Sequence, residues 1–153
     1  MISGFLRSAV LWMFLPVGAG LAGPPDILTS LEAALPPTGS PALLVFFSVG
    51  CPSCFDDLLE MAMFVDRERL PVRVIGISSD SASDLEEFAA KYSLKGPVVR
   101  DGRGRLRRRF KADIVPYKIV LAEDRVFYRD DSRLQPGERL RRIKKCLLEL
   151  DKK

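Results

Sequence analysis

Histidine is missing from all 153 residues of this chain. Without an imidazole there is no Ser-His-Asp or Cys-His hydrolysis, and no zinc site of the common His-containing kind. Tryptophan occurs once and tyrosine three times, and no aromatic residues are spaced among the basic ones as stacking platforms. A net charge of +4 is only mildly basic, and its Lys and Arg interleave with acids, so no nucleic-acid partner is expected. Cysteine is scarce too: Cys51, Cys54 and Cys146. These thiols, the carboxylates, Lys and Tyr are the chemical groups that remain. An apolar fraction of 47% and a charged fraction of 29% are those of an ordinary globular chain. The length suits a single domain, and no internal repeat is visible.

Met1–Arg7 carries one positive charge, Arg7, and is followed by an apolar stretch from Ala9 to Ala19 broken by Pro16 and Gly18. Small residues then gather at Ala19, Gly20, Ala22 and Gly23. This is the order of a secretory signal peptide, so residues 1–22 are expected to be cut off after Ala22. The apolar stretch falls short of the about 20 residues of a membrane span, so a cleaved segment is expected rather than an uncleaved anchor. The protein is therefore expected to be periplasmic or otherwise exported, where an oxidising compartment lets a disulfide persist.

Residues 23–41 read as a connector rich in Pro and small residues. Ile27, Leu28, Leu31 and Leu35 stand at helical spacing within it, and Pro36, Pro37, Gly39 and Pro41 end that stretch. A compact domain is expected over residues 42–150. Ala42–Ser48 is continuously apolar, as in a central strand covered on both faces. From Cys54, apolar residues recur at Leu58, Met61, Ala62 and Val65 on one helical face, and Pro71 bounds that helix. Val72–Ile77 reads as a strand. Asp80 and Ser81 start a helix with Leu85, Phe88, Ala89 and Tyr92 on one face. Val98-Val99 is a short strand, Asp101–Gly104 a turn, and Arg105–Lys111 a basic helical segment. Tyr117–Ala122 and Arg125–Tyr128 form an antiparallel hairpin across Glu123-Asp124. Pro136 opens a last helix with Leu140, Ile143, Leu147 and Leu150 on its buried face. Strands alternating with helices predict an α/β fold, and the closing hairpin makes its central sheet mixed.

The spacing Cys51-Pro52-Ser53-Cys54 is common in itself, and its placement discriminates. It lies where a buried strand ends and a helix begins, inside a βαβ pattern, which is a redox context. Cys51 at the helix start faces unpaired backbone N–H groups and the positive end of the dipole, which favour a thiolate. Cys54, one turn later on the apolar face, is the more buried thiol and suits resolution of a mixed disulfide. Pro52 fits a first helical turn, where its missing N–H is no loss. A purely structural disulfide leaves the strand–helix junction unexplained, and half of a zinc site would have its third Cys in a distant helix.

With Val74-Ile75-Gly76-Ile77-Ser78 and then Val115-Pro116 before Tyr117–Leu121, the chain resembles the thioredoxin superfamily. More narrowly it is similar to the exported TlpA-like and peroxiredoxin-related branch, over about Ala42 to Leu150. The resemblance implies a thioredoxin fold with a strand–helix insertion before the proline. It implies a thiol–disulfide oxidoreductase acting on exported protein thiols or disulfides, supplied by a redox partner protein. No cofactor is implied beyond the redox-active Cys51–Cys54 disulfide, and no metal. It further implies a cis Val115–Pro116 bond beside the Cys pair, offering backbone groups to a bound peptide. TlpA-like proteins often carry a carboxylate three residues after the resolving Cys, here Asp57, which can accept or relay that thiol's proton. The alternative is a solvent-facing acid beside Asp56, stabilising the helix N-terminus.

Three departures narrow the resemblance. Gly50 stands where the family usually has Trp, Val45 where thioredoxins proper bury an acid, and Pro24–Pro41 shows no N-terminal hairpin pattern. Two further functions keep the same residues: an accessory or maturation protein for another exported protein, metal- or haem-containing ones included, and a peroxiredoxin-like peroxidase. For the latter, Ser48-x-x-Cys51 is a faint echo, with Leu44 in place of the expected Pro. The basic stretch Arg100–Lys111 reads as a solvated surface, with docking of an acidic partner or peripheral membrane contact as the alternative. Cys146, at the edge of the last helix's apolar face, reads as a buried free thiol acting as a small apolar residue, with an intermolecular disulfide as the alternative. A monomer is expected.

Overall fold

The computed structural model describes residues 26–152 apart from positions 38, 124 and 132. The signal peptide expected over residues 1–22 lies outside the described residues. Five consecutive apolar residues, Ala42–Phe46, form strand β2, and all five are buried. A strand with no polar side can lie only inside a sheet with layers on both faces. Its neighbours are β3 (Arg73–Ser78), parallel to it, and β5 (Tyr117–Ala122), antiparallel. Beyond β3 come β4 (Val98–Arg100) and then β1 (Ile27–Leu28), both parallel; beyond β5 comes β6 (Arg125–Arg129), antiparallel. The six-stranded order is β1-β4-β3-β2-β5-β6, a mixed sheet.

The pleat of β2 divides the core. Leu44 and Phe46 join Ile75, Ile77, Tyr117 and Ile119 on the face covered by α1 (Leu31–Ala34) and α4 (Arg105–Phe110), through Leu31, Ala34 and Phe110. Leu43 and Val45 join Val120 on the other face. There they meet Leu58 and Met61 of α2 (Pro52–Glu68) and Ile143 and Leu147 of α5 (Pro136–Leu150). Phe47 continues this second face and packs on Leu85 and Phe88 of α3 (Ala82–Tyr92). At about 1.5–3 kcal/mol for each fully buried large apolar side chain, these two layers supply most of what holds the sheet.

The stretch read as a connector is part of the domain. Ile27–Leu28 pairs with Val98–Val99, and Leu31 and Ala34 are buried against the sheet. The domain therefore begins before Ala42, and its N-terminal segment supplies a strand beside β4, with no hairpin among the described residues. Ser30 caps the short helix, its hydroxyl accepting from the Ala33 N–H at 3.2 Å. The basic stretch is also more structural than its composition suggests. The Arg107 guanidinium donates to the carbonyls of Ala112 and Asp113, at 3.1 and 2.9 Å, and so staples the segment just before Val115. Arg108 donates to the Arg103 carbonyl and Arg100 to the Asp80 carbonyl.

Candidate active site

Where β2 ends, the chain keeps one sheet bond, from the Phe47 N–H to the Ile77 carbonyl at 2.9 Å, and then loops over Ser48–Gly50. Asp80, from the turn after β3, holds that loop. Its Oδ2 accepts from the Val49 N–H at 2.9 Å and from the Ser78 hydroxyl at 2.6 Å, and its Oδ1 accepts from the Ser48 hydroxyl at 3.3 Å. The reading of Asp80-Ser81 as a helix start is half of the matter. Ser81 is the cap, accepting from the Asp84 N–H, while Asp80 faces the loop before Cys51.

Cys51 is the N-cap residue of α2, with extended backbone and no side-chain cap, and Pro52 opens the helix. The cap's usual polar side chain is thus replaced by a sulfur placed among the unpaired N–H groups of the first turn. The Ser53 hydroxyl lies 3.5 Å from the Cys51 Sγ. Cys51 and Cys54 form a disulfide with Cα atoms 5.3 Å apart. The two sulfurs differ in setting: Cys51 is partly exposed, while Cys54 is 0% exposed beneath Phe47, Leu85, Phe88 and Val98. Val115 packs on the same cluster, and the Val115–Pro116 bond is cis, the isomer that the resemblance implies. Thus the Cys51–Cys54 pair and Val115–Pro116 come together from two segments far apart in the chain.

Gly50 leaves open space, with nothing within 4 Å of where a Cβ would stand. Aromatic side chains instead gather after the pair, on the cluster that buries Cys54. The Phe55 ring is 4.2 Å from that of Tyr92 and 6.0 Å from that of Phe88.

Asp57 is not a free surface acid. Its Oδ2 accepts from the Lys118 ammonium at 2.5 Å, and its side chain is 26% exposed. Lys118 lies in β5 with its side chain 2% exposed, and its Cα partner across the sheet is Val45. The strand position that lacks a buried acid thus has a buried cation beside it. The ammonium also reaches Asp130 Oδ2 at 3.2 Å. Asp130 is buried and held by the Lys118 N–H at 2.9 Å and the Tyr128 hydroxyl at 2.8 Å, with Arg139 of α5 at 3.8 Å. Burial and then the hydrogen bond to Asp130 push the Tyr128 hydroxyl well above the ordinary phenol range. Sequence patterning marks Asp80 only as a helix start and does not mark Lys118 at all. The available signal for Lys118 was a lysine inside an otherwise apolar strand, Tyr117-Lys118-Ile119-Val120-Leu121.

Cys146 is a free, half-buried thiol on α5, pushed up by burial and then by the nearby Glu149 carboxylate. Among the described residues, no three His, Cys, Asp or Glu side chains are grouped so as to hold a metal ion. No helix among them is long and apolar enough to cross a membrane.

Solved structures share this architecture. A thioredoxin-like protein from Porphyromonas gingivalis is 23% identical, with a TM-score of 0.61 over 84% of this chain and 91% of its own. StoA from Bacillus subtilis is 20% identical, with a TM-score of 0.59 over 82% of this chain and 98% of its own. A secreted Mycobacterium tuberculosis disulfide oxidoreductase is 18% identical, with a TM-score of 0.56 over 72% and 82%. At these identities the likeness is one of fold, and it is the thioredoxin fold. No curated protein sequence matches significantly. The AhpC/TSA family model, in contrast, matches residues 28–129, which spans β1 to β6 and includes both cysteines of the pair. The chain belongs to the AhpC/TSA family, and it carries the CxxC pair of a thiol–disulfide oxidoreductase on a thioredoxin fold.

Proposed function

We propose that this thiol–disulfide oxidoreductase acts on the thiols and disulfides of exported proteins, with Cys51 as nucleophile and Cys54 as resolving thiol. The observation that carries the reading is the unequal setting of the two sulfurs: one partly exposed at a helix start, the other fully buried one turn below. In the reducing direction the Cys51 thiolate attacks a client disulfide. A Cys51–client bond forms, and the first client sulfur leaves as a thiolate that takes a proton from water. The Cys54 thiol then gives its proton to Asp57 and attacks the Cys51 Sγ. The second client sulfur leaves and is protonated, and the Cys51–Cys54 disulfide remains. A redox partner protein returns two electrons. Run backwards, the same steps oxidise a client dithiol.

Val115–Pro116 forms the edge against which the client lies; its packing on the cluster around Cys54 supports this place. Export is supported by the N-terminal sequence pattern and by the likeness in fold to a secreted protein. Arg100, Arg103, Arg105, Arg108, Arg109 and Lys111 are the exposed cations of the basic stretch, the surface left for an acidic partner or an anionic headgroup.

Cys54→Ser removes the resolving sulfur and leaves Cys51 free to attack. Mixed with the exported protein fraction, this variant should accumulate client proteins linked to Cys51 and released by reductant. Recovery of none, with the variant folded, would contradict the reading.

A further inference from the structure

Lys118 is a charge in the wrong place for a purely structural strand. It stands in the second strand from the edge, its side chain 2% exposed, on the same face as Val45 and Val120. Burying an ammonium costs several kcal/mol unless it is paired, and replacing such pairs by apolar residues is often neutral or stabilising. A lysine here is therefore weakly explained by stability alone. Its two partners differ in kind.

Asp130 is an anchor. Its carboxylate is buried and fixed by the Lys118 N–H and the Tyr128 hydroxyl, whose oxygen also lies 3.0 Å from the Arg139 carbonyl oxygen. Asp57 is the solvent-facing end, held only by the ammonium among the bonds seen. It lies three residues after Cys54, and side chains three apart on a helix have Cβ atoms about 5–6 Å from one another.

We propose that Lys118 is a positioning residue for the resolving step: pinned by Asp130, its ammonium holds the Asp57 carboxylate on the inner edge of α2, where that carboxylate takes the Cys54 proton. The ammonium transfers nothing itself; the proton moves from the Cys54 Sγ to Asp57 and from there to water. The freedom of Asp57 to turn into solvent is what Lys118 removes. This rests on the proposed role of Asp57, and the test keeps the two apart.

The reduced protein, carrying Cys146→Ser in every variant, is mixed with Ellman's reagent in a stopped-flow instrument. The first coloured thiolate is released when Cys51 attacks, and the second when Cys54 resolves the mixed disulfide. Lys118→Met should slow the second phase about tenfold and leave the first within about twofold. In an Asp57→Asn background, itself slow in the second phase, Lys118→Met should add nothing further. Lys118→Met/Asp130→Asn removes the cation together with the anchor facing it, so it avoids an unpaired buried carboxylate. It should behave as Lys118→Met does, and it serves if the single variant folds poorly. A merely structural role would lower stability and slow both phases together, which would overturn the proposal. So would an unchanged second phase in these Lys118 variants beside a slow one in Asp57→Asn, which would leave the role of Asp57 standing. An unchanged second phase in Asp57→Asn would overturn both.

Discussion

Replacing Asp80 with Ala removes the carboxylate that holds the loop before Cys51. Two of its bonds are short, from the Val49 N–H at 2.9 Å and the Ser78 hydroxyl at 2.6 Å; the third, from Ser48 at 3.3 Å, is weak. Hydrogen bonds to a charged group contribute about 1.5–3 kcal/mol each when water is excluded. Asp80 is only half-buried, so water replaces part of each bond. Counting the two short bonds at the lower end and discounting for that exposure gives about 2 kcal/mol for Asp80→Ala. Both short bonds end on the same oxygen, Oδ2. An amide with its oxygen there keeps them, and its NH2 then faces the Ser48 hydroxyl, which can accept. Asp80→Asn should therefore cost about 0.5–1 kcal/mol, the loss of charge alone. Urea unfolding of the oxidised proteins at neutral pH measures both. The first phase of the Ellman reaction should also slow in Asp80→Ala, because Cys51 follows the freed loop. A cost for Asp80→Ala within about 0.5 kcal/mol of zero, the range of an ordinary surface change, would refute this account of the loop.

Gly76 in β3 has no room for a methyl group: an added Cβ would lie 2.9 Å from Cε1 of Phe47 and 3.6 Å from Cγ2 of Val98. Phe47 is 3% exposed and packed on Phe88, so Gly76→Ala should destabilise by about 1–3 kcal/mol in urea, and wild-type stability would contradict the packing described. Burial and then Glu149 raise the Cys146 thiol above its ordinary range, so its neutral form is favoured by folding. The stability this contributes is fully present below the unfolded thiol's value and is lost as pH rises through the folded one, an alkaline window. Maleimide should accordingly label Cys146 at neutral pH more slowly than a small exposed thiol and catch up only in base; equal rates at neutral pH would contradict its half-buried setting.

The parts of the fold that sequence patterning reveals are those with long, regular apolar periods. The run Ala42–Phe46, the α2 face through Leu58, Met61 and Val65, and the α5 face through Ile143 and Leu147 are all found where periodicity places them. The Cys pair is legible for the same reason, since its meaning comes from the strand–helix junction around it. Residues 26–35 are less so. The helical spacing of Ile27, Leu28, Leu31 and Leu35 runs across a two-residue strand and a four-residue helix, and what makes Ile27–Leu28 a strand is pairing with Val98–Val99, far along the chain. Lys118 and Asp57 are 61 residues apart, and Asp80 is 31 from Val49, so neither contact leaves a local trace. Charge is the hardest feature to read by composition. Seven basic residues between Arg100 and Lys111 look like one solvated patch, yet Arg100, Arg107 and Arg108 are bent onto backbone carbonyls.

The most direct test of the account compares Cys54→Ser with Cys51→Ser against one purified disulfide-bonded protein, each in a Cys146→Ser background. Cys51 at the exposed helix start and Cys54 buried beneath Phe47 and Phe88 predict that the variant keeping Cys51 forms the mixed disulfide rapidly and holds it. The variant keeping only Cys54 should form it at least about tenfold more slowly. Equal trapping by the two, or faster trapping through Cys54, would contradict the assignment of attacking and resolving sulfurs.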